Sequence, residues 1–509
     1  MRFVPFLVTL VLVAGSLPVL GGPDRFGSAS LQAQVPLTAG PQELPLDEAI
    51  RLARENNPDY LIQRRQVETA EMEVSEAWSA FLPSANISNS YGLQTSGERR
   101  VGDVSLGERP EILSSSYQFG LSLNLDGRAL LRPGQARLEE DAAQARVEGA
   151  GMGLDAEVTD AYLSVLQADA QVEQARAELQ RTQATVREAE ARVEVGAATS
   201  LDVRRAQVQH GQAEVLLVQV ENEAAATRLS LAELVGVHMA EDVELTTDFE
   251  LFEPALDAAE LVETALANNP AVRASRREAQ VAEGEIRSSR SDYFPSLSLS
   301  AGVNASVFQA GSLSPLVDER LGQQQSQFES CVQDNRIRDL LGDSPRNCEM
   351  MNPQNPEVRE DVRQQVEAEN SGFPFDYQRQ PWNLSLTVSL PLFTGFSRGR
   401  DTERARIAHA DSREQVRSQE LQLRSQVSQA VRAVETAHRI VKLQGTVKET
   451  AAEELRLAQE RFRLGLSTSI DVVEAQANLS EAERDEITAV YDFHQAVADL
   501  EALLGGELR

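Results

Sequence analysis

The chain has 509 residues, a formal net charge of −31 and two cysteines, with hydrophobic residues at 41% and aromatics at 5%. So acidic a surface repels nucleic acid and attracts cations, which excludes a nucleic-acid-binding role. Beyond the N-terminus no stretch stays apolar for the about 18 residues a spanning helix needs, so any membrane crossing must be made by strands.

Residues 1–33 read as a cleaved secretory signal: Arg2, an apolar run from Phe6 to Val13 and the small-residue exit Leu31-Gln32-Ala33. No cysteine follows at that junction, which argues against an N-terminal lipid anchor. From Leu46 onward the chain is written twice. Asn57-Pro58 and Phe81-Leu82-Pro83 recur as Asn269-Pro270 and Tyr293-Phe294-Pro295 at a constant offset of 212 positions. Arg192 to Val203 recurs as Arg461 to Val472 at an offset of 269, so the second copy carries an insertion between the two blocks. The expected division is a first repeat over 34–250 and a second over 251–509, with an outward-facing insertion at about 304–380.

In chain order, Tyr60, Val67, Val74 and Phe81 predict a helix from Leu46 to Ala80. Two strands follow, the first around Ile87, Tyr91 and Leu93, the second around Leu121, Leu123 and Leu125, each apolar on one face and polar on the other. Tyr117, Phe119 and Trp382, opposed by Phe81, Tyr293, Phe294 and Phe393, fit two aromatic girdles. Val158, Val165, Val172, Leu179, Val186 and Val193 stand seven apart beside Ala161, Ala168, Ala175 and Ala189, a coiled-coil seam. A helix from Ala136 to Val195 runs about 90 Å. Its return from Gly196 to Val235 covers only about 60 Å, and the Leu46–Ala80 helix is the right length to fill the remainder by end-to-end stacking.

The second repeat offers the same parts. Its seam is Val427, Val434, Val441, Leu455 and Phe462, broken once by Lys448, on a helix from about Gly399 to Leu464 with a return to Leu504. Leu297 to Val303 and Leu384 to Leu390 are its strands, and Pro356 to Glu369 predicts a short helix inside the insertion. Cys331 and Cys348 both lie in that insertion, and a secreted chain meets oxidising conditions, so a disulfide is expected. Four strands cannot close a pore, because the smallest single-chain barrels have about eight. Several copies must share one barrel.

At Val195 to Val203, at Leu464 to Ala475 and at Leu390-Pro391-Leu392-Phe393-Thr394-Gly395 the chain resembles the TolC-like outer-membrane channel family. The resemblance implies a mainly α fold with a membrane β-barrel: long coiled-coil hairpins forming a periplasmic α-barrel, with four strands from each of three protomers in a shared barrel. It implies a homotrimer in the outer membrane of a diderm bacterium, extending into the periplasm and docking on a periplasmic adaptor and an inner-membrane RND or ABC transporter. Its function would be an exit duct for small molecules or polypeptides. In the family, acids on the second helical tip ring the periplasmic entrance, and the matching positions are Asp471 and Glu474, with Asp202 on the first tip. Their spacing agrees, since residues three apart share a helix face. Some such channels carry an arginine two residues after the second-tip glycine. This chain has Ser467 there and Ala198 in the first tip, which leaves Arg204 or Arg205 as partners for Asp471 or Asp202. Gly196 and Gly465 suit helix reversals, and Leu466, Ser467 and Thr468 are the expected adaptor contacts.

The five histidines are scattered without a spaced partner set, and no phosphate loop or zinc motif occurs, so neither an enzyme nor a cofactor is expected. A periplasmic adaptor, or a secreted structural coiled coil, would share the signal and the heptads. Neither accounts for four alternating strands.

Overall fold

The computed structural model describes residues 43–239, 243–506 and 508; the expected signal over 1–33 lies outside them. The first repeat comprises β1 (Glu43–Leu44), α1 (Leu46–Asn56), α2 (Pro58–Ser79), β2 (Ser84–Gln94), β3 (Gly97–Val101), β4 (Val104–Arg109), β5 (Ile112–Leu125), α3 (Gly127–Glu194) and α4 (Ser200–Val235). After β6 (Glu244–Leu245) come α5 (Ala258–Asn268), α6 (Pro270–Ser291), β7 (Ser296–Ala310), α7 (Ser314–Leu341), α8 (Pro356–Asn370), β8 (Gln378–Arg379), β9 (Asn383–Ser389), α9 (Ser397–Arg463) and α10 (Ser469–Leu504).

The expected Leu46–Ala80 helix is broken at Asn57. Proline at the next position cannot donate to a continuing helix, and Asn57 starts a new one by accepting the Tyr60 N–H at 3.0 Å. Asn269 does the same for α6, accepting from the Ala271 and Val272 N–H groups at 3.0 and 3.2 Å. Each amide also donates to the last turn of the return helix, Asn57 to the Leu234 carbonyl at 2.9 Å and Asn269 to the Leu503 carbonyl at 3.1 Å. One side chain thus ends one helix and begins the next, which is how α4 stacks under α2 and α10 under α6. The continuous partners α3 and α9 have 68 and 67 residues, about 100 Å each.

The helices form a curved wall. Beneath the sheet α2 packs on α3, α3 on α6 and α6 on α9; lower down the order is α4, α3, α10, α9. Gly127 permits a close approach to backbone, since a Cβ there would lie 2.2 Å from the Ser291 carbonyl oxygen. Among the described residues the helical apolar clusters each stay within one repeat: Val158, Tyr162, Val165 and Leu231 in the first, Val427, Val434, Phe493 and Leu500 in the second. The heptad seam of α3 is fully buried only at Val158, Val165 and Val172, while Leu179, Val186 and Val193 are half-buried. Lys448, the break in the second seam, pairs with Glu486 at 2.5 Å.

The main sheet has the order β2-β5-β7-β9, antiparallel throughout, with β8 continuing the β9 edge alongside β7. Strand order matches helix order, so every strand runs directly into one helix of the wall. β5 and β7 are longer than expected, with 14 and 15 residues. The β2–β5 connection contains a second hairpin, β3–β4, that the sequence pattern does not reveal. In the insertion α8 falls where predicted and α7 was not foreseen. Cys331 and Cys348 are bonded to each other.

Candidate functional site: the two-faced sheet and the helical tips

Register fuses four modest patterns into two complete faces. Ile87, Phe119 and Val303 share one ladder row; Ala85, Leu121, Ala301 and Leu384 the next; Leu123, Leu299 and Leu386 the one after; Leu125, Leu297 and Val388 the last. Between them lie rows of Asn86, Gly120, Gly302 and Asn383, of Ser84, Ser122, Ser300 and Ser385, and of Asn124, Ser298 and Thr387. One face is aliphatic and the other is small and hydrogen-bonding, as lipid outside and water inside require. The aliphatic face is bare: Ile87 is 77% exposed, Leu386 62% and Val388 64%. β2 and β9 each have one unpaired edge within the chain. Among the described residues no helix is long and apolar enough to cross a membrane. Phe119, Trp382, Phe294 and Phe393 are exposed, whereas Tyr117 is half-buried with the Tyr377 ring packed edge-on against it at 5.0 Å.

At the opposite end the two tips are built alike. Gly196 and Gly465 have φ of 73° and 72°, so each helix ends in a left-handed residue. The next residues, Ala197 and Leu466, donate back to the Arg192 and Arg461 carbonyls at 2.8 Å, closing the turn. Thr199 and Thr468 then cap the return helices, each in a box with the acid three residues on. Asp202 Oδ2 accepts the Thr199 N–H at 2.9 Å, and Asp471 Oδ2 the Thr468 N–H at 2.7 Å.

These bonds fix the state of both acids. A hydrogen bond from Ser469 at 2.5 Å, with those from the Thr199 backbone and hydroxyl, holds Asp202 at about 2. The Thr468 backbone and hydroxyl lower Asp471 below the usual carboxylate range. Asp471 and Glu474 lie together in an open groove of 710 Å³ between α9 and α10, which also collects Glu449, Glu453, Glu454 and Arg461. Asp202 is not in this groove; it faces Ser469 across the repeat boundary. Within one chain neither arginine forms an ion pair with these acids. Arg204 donates to Gln207 at 3.1 Å, and Arg205 acts on Asp202 through its charge alone, because that carboxylate is already occupied by Thr199 and Ser469.

Leu466 is 67% exposed and Thr468 is exposed, while Ser467 is half-buried with its hydroxyl turned toward the Ala458 carbonyl. Four further tip residues, Val195, Leu201, Leu464 and Ile470, are also exposed and make the blunt end apolar. Their apolar character was visible in the two aligned tip segments, and exposure followed once the turn was placed between them. Not legible was the stitching of tip to tip by Arg192, whose guanidinium lies 4.4 Å over the Phe462 ring.

About two to five turns above the tips the repeats meet through a buried polar layer. Arg181 holds Glu483 in two bonds of 2.8 and 2.5 Å, Gln174 donates to Ser480 and Glu483 at 3.2 Å each, and Gln476 donates to Glu178 at 3.2 Å. Burial raises the Glu178 carboxyl. Burial also pulls Glu483 upward, but the Arg181 and Gln174 bonds outweigh it and leave that carboxyl lowered.

The profile of the outer membrane efflux protein family matches residues 49–237 and 353–506, leaving out β6, α5, α6, β7, α7 and the disulfide loop. The chain is 25% identical over 194 residues to the cobalt-zinc-cadmium resistance protein CzcC of Cupriavidus metallidurans, covering 38% of this chain and 46% of that one. It is also 25% identical over 260 residues to the outer membrane protein TolC of Vibrio cholerae, covering 51% and 58%. The aligned parts thus span about half the length of these two curated relatives. A solved structure of CusC superposes with a TM-score of 0.66 at 16% identity, covering 91% of this chain and 92% of that one, which shows a shared fold.

Proposed function

The chain belongs to the outer membrane efflux protein family, and on that premise we propose that three copies assemble into the exit duct of a tripartite efflux or type I secretion system. After a leader over 1–33 is cleaved, four strands per copy close a twelve-stranded barrel in the outer membrane. The helical walls close a tunnel below it in the periplasm. Small molecules or polypeptides enter at the tips from an inner-membrane pump of RND or ABC type, through a periplasmic adaptor that grips the apolar end around Val195, Leu201, Leu464, Leu466, Ser467, Thr468 and Ile470. Asp471 and Glu474 form the acidic mouth, and Asp202, on the first tip and outside their groove, adds to its charge.

The observation that carries this reading is the sheet: a bare aliphatic face with two open edges is intolerable in hydrocarbon until other strands complete it. The flanking helices support the same closure. α4 presents Leu201, Val208, Val215 and Leu229 at heptad spacing, all at least 55% exposed, and α9 presents Ile440, Leu443, Val447 and Leu457, 44–63% exposed. α4 and α9 are the two ends of the wall, so each stripe is placed to pack on the other in the next copy.

Native mass spectrometry of the detergent-purified protein, with single-channel recording in planar bilayers, tests the proposal. A trimer of stable, cation-preferring conductance is expected. A monomer without conductance refutes it.

A further inference from the structure

The aliphatic face of the sheet does not run bare to its outer end. Ala305 and Val307, which belong to that face, are 0% and 5% exposed, and Ser115 is 0% exposed. Over Ser115 lies Tyr377, at the end of the return arm Gly372 to Tyr377, and Ala305 pairs with Arg379 of β8. The Tyr377 and Ser115 hydroxyls lie 2.7 Å apart, and the Asn370 side chain fixes the root of the arm by bonding the N–H and carbonyl of Ala310 at 2.6 and 3.0 Å. Side chains roofed by protein do not face hydrocarbon. The lipid band therefore stops near Phe119 and Trp382, and the rows beyond stand in the outer aqueous layer.

In that zone one ladder row runs Tyr91, Ser115, Val307, and the next runs Leu93, Leu113, Gln309. The arm covers these rows over β5 and β7 and leaves them open on β2, where Tyr91 is 68% and Leu93 62% exposed. The arm carries an uncovered ring of its own, Phe375, 80% exposed. It enters the sheet through β8, at the edge opposite β2. Phe375 stands two residues before Tyr377, which is level with the Tyr91 row, and three before β8 on the side of the sheet away from β2. It and Tyr91 with Leu93 are thus exposed apolar groups toward opposite open edges at a similar height.

We propose that the return arm of each copy caps Tyr91 and Leu93 of the next copy, Phe375 seating against them, so that the insertion straps the outer rim of the barrel. The occupant is a second copy of this chain: the open edges that must join bring these two surfaces together and no others at that height. The inference rests on the trimeric reading above and adds to it a contact made outside both the bilayer and the helical wall.

The test is a cysteine pair in the full-length, detergent-purified protein, where Cys331 and Cys348 are already consumed by each other. Tyr91→Cys with Phe375→Cys should give covalent trimers after mild oxidation, seen on non-reducing gels. Ser90→Cys with Phe375→Cys, on the opposite face of the sheet, should give none above background. Phe375→Ser alone should lower the temperature at which the assembly dissociates in SDS by several degrees and leave conductance unchanged. A trimer by native mass in which the Tyr91 and Phe375 pair links no better than the Ser90 control overturns the strap and leaves the duct standing. A monomer by native mass overturns the trimeric reading itself.

Discussion

Asn269→Ala isolates the device that joins α10 to α6. The substitution removes the acceptor for the Ala271 and Val272 N–H groups and the donor to the Leu503 carbonyl, at a side chain only 8% exposed. Loss of an N-cap costs about 1 kcal/mol. A shielded carbonyl left without its partner costs about 1–2 kcal/mol more. Together the two helix ends should be weakened by about 2–3 kcal/mol, which speeds their local opening about 30-fold to 150-fold. Hydrogen exchange read by mass spectrometry resolves this in peptides covering Leu500–Leu504 and Ala271–Arg276. Asn269→Asp divides the effect, because it keeps the capping oxygen and loses the donor, so only the α10 end should loosen fully. Asn57→Ala should act alike on Leu231–Val235 and leave the second repeat untouched, since its bonds are to Tyr60 and Leu234. If Asn269→Ala changes exchange less than threefold at both ends, the joint is not held by this side chain and the reasoning fails.

Neutralising the mouth with Asp471→Asn and Glu474→Gln should reduce cation selectivity in planar bilayers, since asparagine can still cap α10; unchanged selectivity would refute the acidic mouth. Asp471 and Asp202 have lowered folded-state values, so their charges and caps are present above the unfolded carboxylate range and are lost only as pH falls through those lower values. Their share of the selectivity should therefore be the same at about pH 5 as at pH 7, and a loss of the difference between wild type and Asp471→Asn over that interval would contradict the bond pattern. Gly127→Ala should force α3 from α6, because its Cβ would meet the Ser291 carbonyl, at a cost of about 1–3 kcal/mol, read as a lower dissociation temperature of the assembly. Removing the disulfide with Cys331→Ser and Cys348→Ser should cost about 3 kcal/mol confined to the insertion; new proteolytic cuts should fall between 331 and 348 while conductance is retained.

Much of this architecture was legible because period and repetition are properties of sequence. The two tips and the alternation of Leu384, Leu386 and Val388 each announced a local geometry, while the Asn-Pro pairs served only to align the repeats and their helix breaks were not foreseen. Other features depend on what arrives from far away. α7 has no dominant apolar face, with Leu321 its only buried residue among those described, so periodicity could not mark it as a helix. The upper parts of β5 and β7 carry Ser115 and Ala305 where a lipid-facing strand would carry aliphatics, and they became readable only when the arm was seen to cover them. The heptads of α3 gave no warning that Gln174 and Glu178, one turn apart beside the seam, would be buried against the other repeat. At the tips the positions of Asp202 and Asp471 were plain, but which oxygen each would commit to a cap depended on the turn closing first.

The Asn57 and Asn269 breaks fall at equivalent positions in the two repeats, so only α3 and α9 pass that level as unbroken rods. In the trimeric duct proposed above, two unbroken rods per copy would cross that height, so the long helices alone would carry load past it while the short helix ends meet end to end.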